Sequence, residues 1–426
     1  MYRVAACLLI FLTTSSFKIN DKVGVQPGSS LLSRIAEARA LLSSERVQIV
    51  KGTVGTRRVK VGRKKYEDVP VIGVVGREMA IAILDAEGGI RVARAIKRDK
   101  GMDVLTPGFV LSVRRDNGIN SDIVSVTPAG GKVLAVKYPV MNDGNRFGPG
   151  ESVIEAVYTP YSHEIASEEV IKRGIAVQAE FIERAYARLQ ERRVYSRAFP
   201  GRLVSDVIPR DVLTVLLMNE HIDPSLFKSS GHARTLVEQV LTVIATNKEK
   251  AYAYSVSSAG ARGLVQMIPS TYSLLLNRYA SAGLLSSFAT GMADPTNAVM
   301  AQVLLCDADW QAIRTKGDIP AEKIGPYLAA AYNGGVGRVL SIMAHGEHEW
   351  MEEPSGDRRP TKVVTARVPV KVRTRRGKTR TAYVLKSYTR PIFMSETSKY
   401  VRQYHWINDF FVARNIDGFK QSEAIK

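Results

Sequence analysis

The sequence predicts an α+β chain. A β-rich N-terminal module comes first, and an all-α domain carrying a basic β-hairpin insertion comes second. Three observations lead there. Val-rich runs separated by Gly and Asn/Asp turns fill Val47 to Tyr161. Apolar residues recur at helical spacing from Glu168 onward. Near 349–390 the pattern returns to strict alternation, with many cations and an Arg-Arg-Gly-Lys turn.

The chain starts "MYRVAACLLIFLTTSS", with Arg3 before an apolar run from Val4 to Leu12. Such a run is too short to cross a bilayer and fits the core of an export signal, here residues 1–20. Export to the periplasm or cell envelope is the expectation, and a buried terminal segment is the competing one.

The β-rich module covers 30–165. Its strand-like pieces are "RVQIVKGTV", "VPVIGVV", "IRVARAI", "FVLSVRR", "DIVSVT" and "KVLAVKYPV", with turns at "AEGG", "DNG" and "PAGG". β-Branched runs bounded by such turns suit an antiparallel sheet, a sandwich or a small barrel. The cluster Arg57 to Lys65 reads as a charged strand edge or a polyanion contact.

A connecting helix from Glu168 to Arg193 carries Ile171, Ile175, Ile182, Ala185 and Leu189 on one stripe, and "SRAFPGR" reads as a linker, so 166–204 joins the two parts. The helical domain, 205–415, opens with "DVLTVLLMN" and "TLVEQVLTVIAT" and continues through "NAVMAQVLLCDADW" and "IGPYLAAAYNGGVGRVLSIM". The insertion at about 349–390 alternates Val368, Val370 and Val372 with polar residues and returns through Tyr383 and Leu385. It offers a cationic face to an anionic cell-envelope polymer, or simply to water. "SETSKYVRQYHWINDFFVARN" resumes the helical pattern.

The chain has 426 residues and a net charge of +19, which favours anionic partners. No aromatic-rich RNA motif, zinc spacing or helix-turn-helix pattern accompanies that charge, so nucleic acid is not expected. The cysteines are Cys7 and Cys306; if the leader is removed, no intrachain disulfide is possible. His345 and His348 are the only close histidine pair and have no Cys or further His nearby, so no metal and no cofactor is expected.

Two glycine-rich signals stand out in the helical half. "SVSSAGARGLVQMIPSTY", Ser255 to Tyr272, sets Gln266 in an apolar piece behind Gly260 and Gly263. "AAAYNGGVGRV" sets Tyr332 and Asn333 before Gly334 and Gly335. Glycine admits positive φ and a close approach of another molecule to the backbone. Amides offer both donors and acceptors, and a ring beside an amide suits a sugar. Helix ends with glycine caps would look the same one at a time.

Taken in order, "SSAGARGLVQMIPSTY", "DPTNAV", "AAAYNGG" and "ETSKYV" resemble the lytic transglycosylases of the soluble, lysozyme-like type. The likeness covers about Pro209 to Val401 without the basic insertion, and the β-rich half lies outside it. It implies a lysozyme-like fold for the helical domain and a peptidoglycan substrate. It implies cleavage of the β-1,4 bond between N-acetylmuramic acid and N-acetylglucosamine, leaving 1,6-anhydro ends, with one glutamate acting as acid and then base. It also implies that Gln266 turns its amide toward substrate or glutamate and that Ser257 is a hydrogen-bond partner of the acid. Gly263 opens the backbone to the glycan, Tyr332 and Asn333 line the floor, and Tyr400 orients the glutamate.

The acid itself departs from the family pattern, because no Glu-Ser pair precedes the glycine segment. Glu249 has nearly the usual spacing but stands between Lys248 and Lys250, whose charge lowers a carboxyl pKa. Glu220 closes an apolar helix, a setting that raises it, but needs an inserted helix before the glycine segment. Electrostatics favours Glu220. The alternative is a catalytically inactive peptidoglycan-binding or envelope-assembly protein of the same fold.

Overall fold

A computed structural model describes residues 30–141, 153–223, 226–227, 230–346, 349–352, 354, 361–373, 379–393 and 395–416. The export-signal segment, Cys7 and His348 lie outside them. The chain is α+β, as the sequence predicts.

Helix α1 (Leu31–Ser43) comes first, capped by the Ser30 hydroxyl. It precedes the Val-rich runs and is not among the expected elements. Eight strands follow: β1 (Ile49–Lys60), β2 (Tyr66–Leu84), β3 (Ile90–Lys97), β4 (Met102–Val104), β5 (Val110–Arg115), β6 (Asp122–Thr127), β7 (Lys132–Met141) and β8 (Val153–Tyr158). Of the three β architectures open from the sequence, the chain forms the antiparallel sheet. Its order is β4-β3-β2-β7-β8, with β1 also on β2, and β5–β6 make a separate two-stranded pair.

Side chains alternate across β2. Ala80 and Ala82 meet Ile35, Ala38 and Leu42 of α1, while Met79, Ile81 and Ile83 face the main core. A register shift between Ala82 and Ile83 against β7 lets consecutive residues Leu134 and Ala135 both belong to the α1 side. The first half of β2 pairs with β1 as a largely exposed arm.

The helices are α2 (Glu168–Glu191), α3 (Arg210–Asn219), α4 (Ser230–Asn247), α5 (Pro269–Arg278), α6 (Phe288–Ala293), α7 (Pro295–Arg314), α8 (Ile324–Gly334), α9 (Val336–Ala344), α10 (Glu349–Glu352) and α11 (Ser395–Ala413). Strands β9 (Thr361–Arg373) and β10 (Thr379–Pro391) form the expected basic hairpin between α10 and α11.

Helix α2 is not a mere connector. It presses so closely on α4 that a Cβ on Gly174 would stand 2.3 Å from the Leu241 carbonyl oxygen. The expected linker "SRAFPGR" is likewise a packed segment. The wholly buried Asp307 carboxylate on α7 accepts from the Ser196 hydroxyl at 2.5 Å and the Arg197 amide at 2.7 Å. A buried carboxylate needs such donors, and these fix the segment against α7.

One core runs through both halves. Met79, Ile81 and Tyr158 of the sheet join Phe181 of α2, Leu216 of α3, Leu241 of α4 and Val303 of α7. Asn247, at the end of α4, also stitches them. Its Oδ1 accepts from the Thr159 amide at 2.8 Å and from Arg39 at 2.9 Å, and its Nδ2 donates to the Thr159 carbonyl at 2.8 Å.

Candidate functional site

Glu220 is the C-cap of α3, whose stripe of Val212, Leu213, Leu216 and Leu217 is buried. The stripe drives the helix into the core and delivers the carboxyl to the edge of that core. Burial pushes its pKa up to about 8, the Tyr400 hydroxyl opposes the shift and Glu396 adds to it. A carboxylate at the carbonyl end of a helix is disfavoured for the same reason as any anion there. The residue as a whole is half-buried rather than sealed.

Tyr400 on α11 donates its hydroxyl to Glu220 Oε1 at 2.5 Å. The proton of the neutral carboxyl is thereby left to Oε2. Asn219 holds the backbone beneath this contact, donating its amide to the Tyr400 carbonyl at 2.9 Å. Glu396 stands one turn before Tyr400 on the same helix and is exposed. Of the two candidate glutamates, Glu220 is the one that Tyr400 contacts.

Glu249 is placed otherwise. It sits in a short turn, Lys248–Lys250, more than half exposed, and pairs with Arg184 at 2.7 Å. Lys248 and Lys250 and this third cation leave it a solvated ion pair.

The glycine segment is folded back toward Glu220. His221, the residue after the acid, reaches the Leu264 carbonyl with Nε2 at 2.7 Å. A carbonyl only accepts, so Nε2 carries the proton. The ring stacks on Tyr252 at 3.5 Å between centroids, and burial lowers its pKa to about 4. The next carbonyl, Val265, accepts from the Tyr332 hydroxyl at 2.5 Å. Tyr332 also lies close enough to Glu220 for the two to interact electrostatically; burial first, and then that charge, raises its pKa far above the ordinary value. Consecutive carbonyls are thus tied to the acid's neighbour and to the ring beside the acid.

Gln266 follows directly, at φ +43, a left-handed conformation uncommon outside glycine. Its side-chain amide donates to the Gly263 carbonyl at 2.8 Å. The N–H end expected to face substrate or glutamate is therefore used to close the turn. Ser257 is corrected as well. It is exposed, and its hydroxyl accepts from the Ala261 amide at 3.0 Å, which closes a local loop instead of contacting the acid.

Gly263 differs from its expected use. It has φ +71, and a Cβ there would stand 2.2 Å from the Met292 carbonyl oxygen. The space the missing side chain leaves is filled by α6, not open to a ligand. Gly260, at φ +80, has no atom within 4 Å of a Cβ position, and is the open glycine of the pair. Asn333 is exposed, and its Oδ1 accepts from the Thr397 hydroxyl at 2.8 Å, which joins α8 to the first turn of α11.

The structure therefore gathers Glu220, Tyr400, Tyr332 and the 263–267 turn, with Asn333 bound to the helix that carries Tyr400. It leaves Glu249 outside and turns Ser257 inward on its own loop. Sequence reasoning missed His221, Asn219 and Thr397. "MNEH" held the first two, flanking the acid. Among the described residues no group of three or more His, Cys, Asp or Glu is placed to hold a metal ion.

No protein-family model, curated protein or solved structure matches this chain, which leaves the chemistry of the site itself as the ground for a functional reading.

Proposed function

We propose that the protein is a peptidoglycan lytic transglycosylase and that Glu220 is its acid and base. The observation that carries this reading is a carboxyl with a pKa pushed to about 8, on a half-buried residue and held by the Tyr400 hydroxyl. At pH 7 roughly nine such groups in ten are protonated. A glycosidic oxygen needs such a proton donor when it leaves.

In this mechanism Glu220 Oε2 gives its proton to the leaving O4 of N-acetylglucosamine as the bond to the muramyl C1 breaks. The substrate's acetamido group stabilises the electron-poor C1, so a second protein carboxylate is not required. The resulting carboxylate then takes the proton of the muramyl 6-hydroxyl, and O6 bonds to C1. The product is the 1,6-anhydro sugar, no water is consumed, and the carboxyl is neutral again. Tyr400 fixes the carboxyl throughout, and Tyr332 fixes the turn beside it.

A lysozyme-like arrangement of the helical region and export to the periplasm or envelope belong to the same proposal. The ordered motifs support the first, and the apolar leader in the sequence supports the second. The positive balance suits an anionic cell wall.

The test is digestion of purified peptidoglycan, with products read by mass spectrometry. The parent and Glu249→Gln are expected to release 1,6-anhydro ends, and Glu220→Gln to release at least ~100-fold less. Reducing ends would indicate a hydrolase. Binding without release by the parent would make the protein a non-catalytic wall binder, and an active Glu220→Gln variant would remove Glu220 from the mechanism.

A further inference from the structure

The hairpin formed by β9 and β10 has no buried residue in either strand. At about 3.3 Å per residue its 13-residue strands reach ~43 Å. A lone two-stranded hairpin is marginal in water, so this one gains by being covered.

Its composition says by what. Thr361–Arg373 and Thr379–Pro391 contain seven Lys and Arg and no Asp or Glu. The three most exposed large apolar side chains among the described residues are also here: Leu385 at 71%, Val363 at 70% and Tyr383 at 66%. Pairing sets Arg367 opposite Leu385, Pro369 opposite Tyr383 and Lys371 opposite Thr381. Directly paired residues share a face, so cations and apolar groups are interleaved on one side of the ribbon.

A second copy of the hairpin would set like charges against each other, which excludes self-pairing as the cover. A dissolved polyanion would satisfy the cations but leave Leu385, Tyr383 and Val363 in water. The interface of an anionic bilayer takes both. Lys and Arg meet lipid phosphates, tyrosine lies at headgroup depth, and aliphatic side chains enter the acyl boundary.

We propose that this hairpin docks the protein on an anionic lipid surface. Nothing in the docking requires glycan cleavage. It does bear on the site, because β10 ends at Pro391 and α11, the helix of Tyr400, starts at Ser395. The segment between them is anchored in the core by Phe393, which packs against Trp350. A docked hairpin therefore holds Glu220 at a set height above the bilayer.

Flotation of the full chain with vesicles tests this. The parent is expected to float with phosphatidylglycerol–phosphatidylcholine vesicles and not with phosphatidylcholine alone. Changing Arg367, Lys371 and Arg373, the cations on the face of Tyr383 and Leu385, together to Gln should weaken binding at low salt by roughly fivefold per cation removed. Changing Val363, Tyr383 and Leu385 together to Ser should weaken vesicle binding at least ~tenfold while retention on immobilised polyglutamate stays as in the parent. Val363→Ile with Leu385→Met keeps the apolar surface and should float like the parent. The proposal fails if the parent ignores anionic vesicles, if the serine variant floats like the parent, or if the Ile/Met variant loses binding. Retention on polyglutamate with vesicle binding set by charge alone would make the partner a soluble polyanion. Vesicle binding that persists while the parent leaves peptidoglycan intact would sink the cleavage reading only.

Discussion

Replacing Glu220 with Gln should stabilise the protein in neutral and alkaline solution while removing its proposed acid. The sign follows from proton linkage. The folded carboxyl has a pKa of about 8, against 4.5 for an ordinary glutamate. Between those values the unfolded chain ionises freely and the folded chain resists, so stability is lost as pH rises through the window. Linkage alone gives a loss of about 0.2 kcal/mol at pH 4, about 2 at pH 6 and about 4 at pH 8. Solvent reaching the half-buried residue screens part of this, so about half of each figure is the expected effect. Glutamine is close to the acid in shape and its carbonyl oxygen still accepts from Tyr400. Urea denaturation of parent and variant at pH 4, 6 and 8 measures the difference, and other titrating groups cancel in it. The gap should be near zero at pH 4 and widen in favour of Gln. A variant less stable than the parent at pH 8, or a gap that does not change with pH, would refute an elevated Glu220 pKa.

Tyr400→Phe removes a hydrogen bond that favours the ionised carboxyl, so the Glu220 pKa should climb further. A hydrogen bond to a charged group is worth ~1.5–3 kcal/mol, which places the alkaline limb of the rate–pH profile ~1–2 units higher. Slower turnover with an unmoved limb would mean Tyr400 only packs. Gly263→Ala should cost ~2–4 kcal/mol, since a left-handed alanine must also displace the Met292 carbonyl. Gly260→Ala shares the backbone strain without the collision and should cost ~1–2 kcal/mol. Equal costs in thermal unfolding would show that the α6 contact is not what Gly263 serves.

The strands are legible where Val alternates with polar residues, as in "IRVARAI", because one face of each is core. "REMAIAIL" does not read as a strand in the same way. There alternation separates large apolar residues from alanines, not apolar from polar, since α1 covers the second face. Helix α1 itself has a weak stripe in sequence because Arg34 is buried with Ile35 and Ala38. At the site, Glu220 can be preferred from its apolar helix, and Tyr400 from its motif. The role of Gly263 depends on what lies across space, and those of Ser257 and Gln266 on how their own loop closes on itself. Nothing in "GARGLVQ" announces that a methionine carbonyl of α6 fills the glycine's empty side, or that His221 reaches the loop from beside the acid. The segment "SRAFPGR" looks like a linker because its anchor, Asp307, is more than a hundred positions away in the chain.

The shared core and the Asn247 clasp bear on how such a protein could be taken apart or borrowed from. Two stretches with different periodicity invite the idea of interchangeable beads, each portable to another chain. Here the boundary suggested by pattern runs through packed side chains. Removing the sheet would strip Tyr158 from the Tyr252 amide it accepts from at 3.2 Å, and Tyr252 is the ring beneath His221. The strand module is thus part of the floor on which the glycine loop rests. A transplant of the helical half alone would arrive with its would-be active site unsupported.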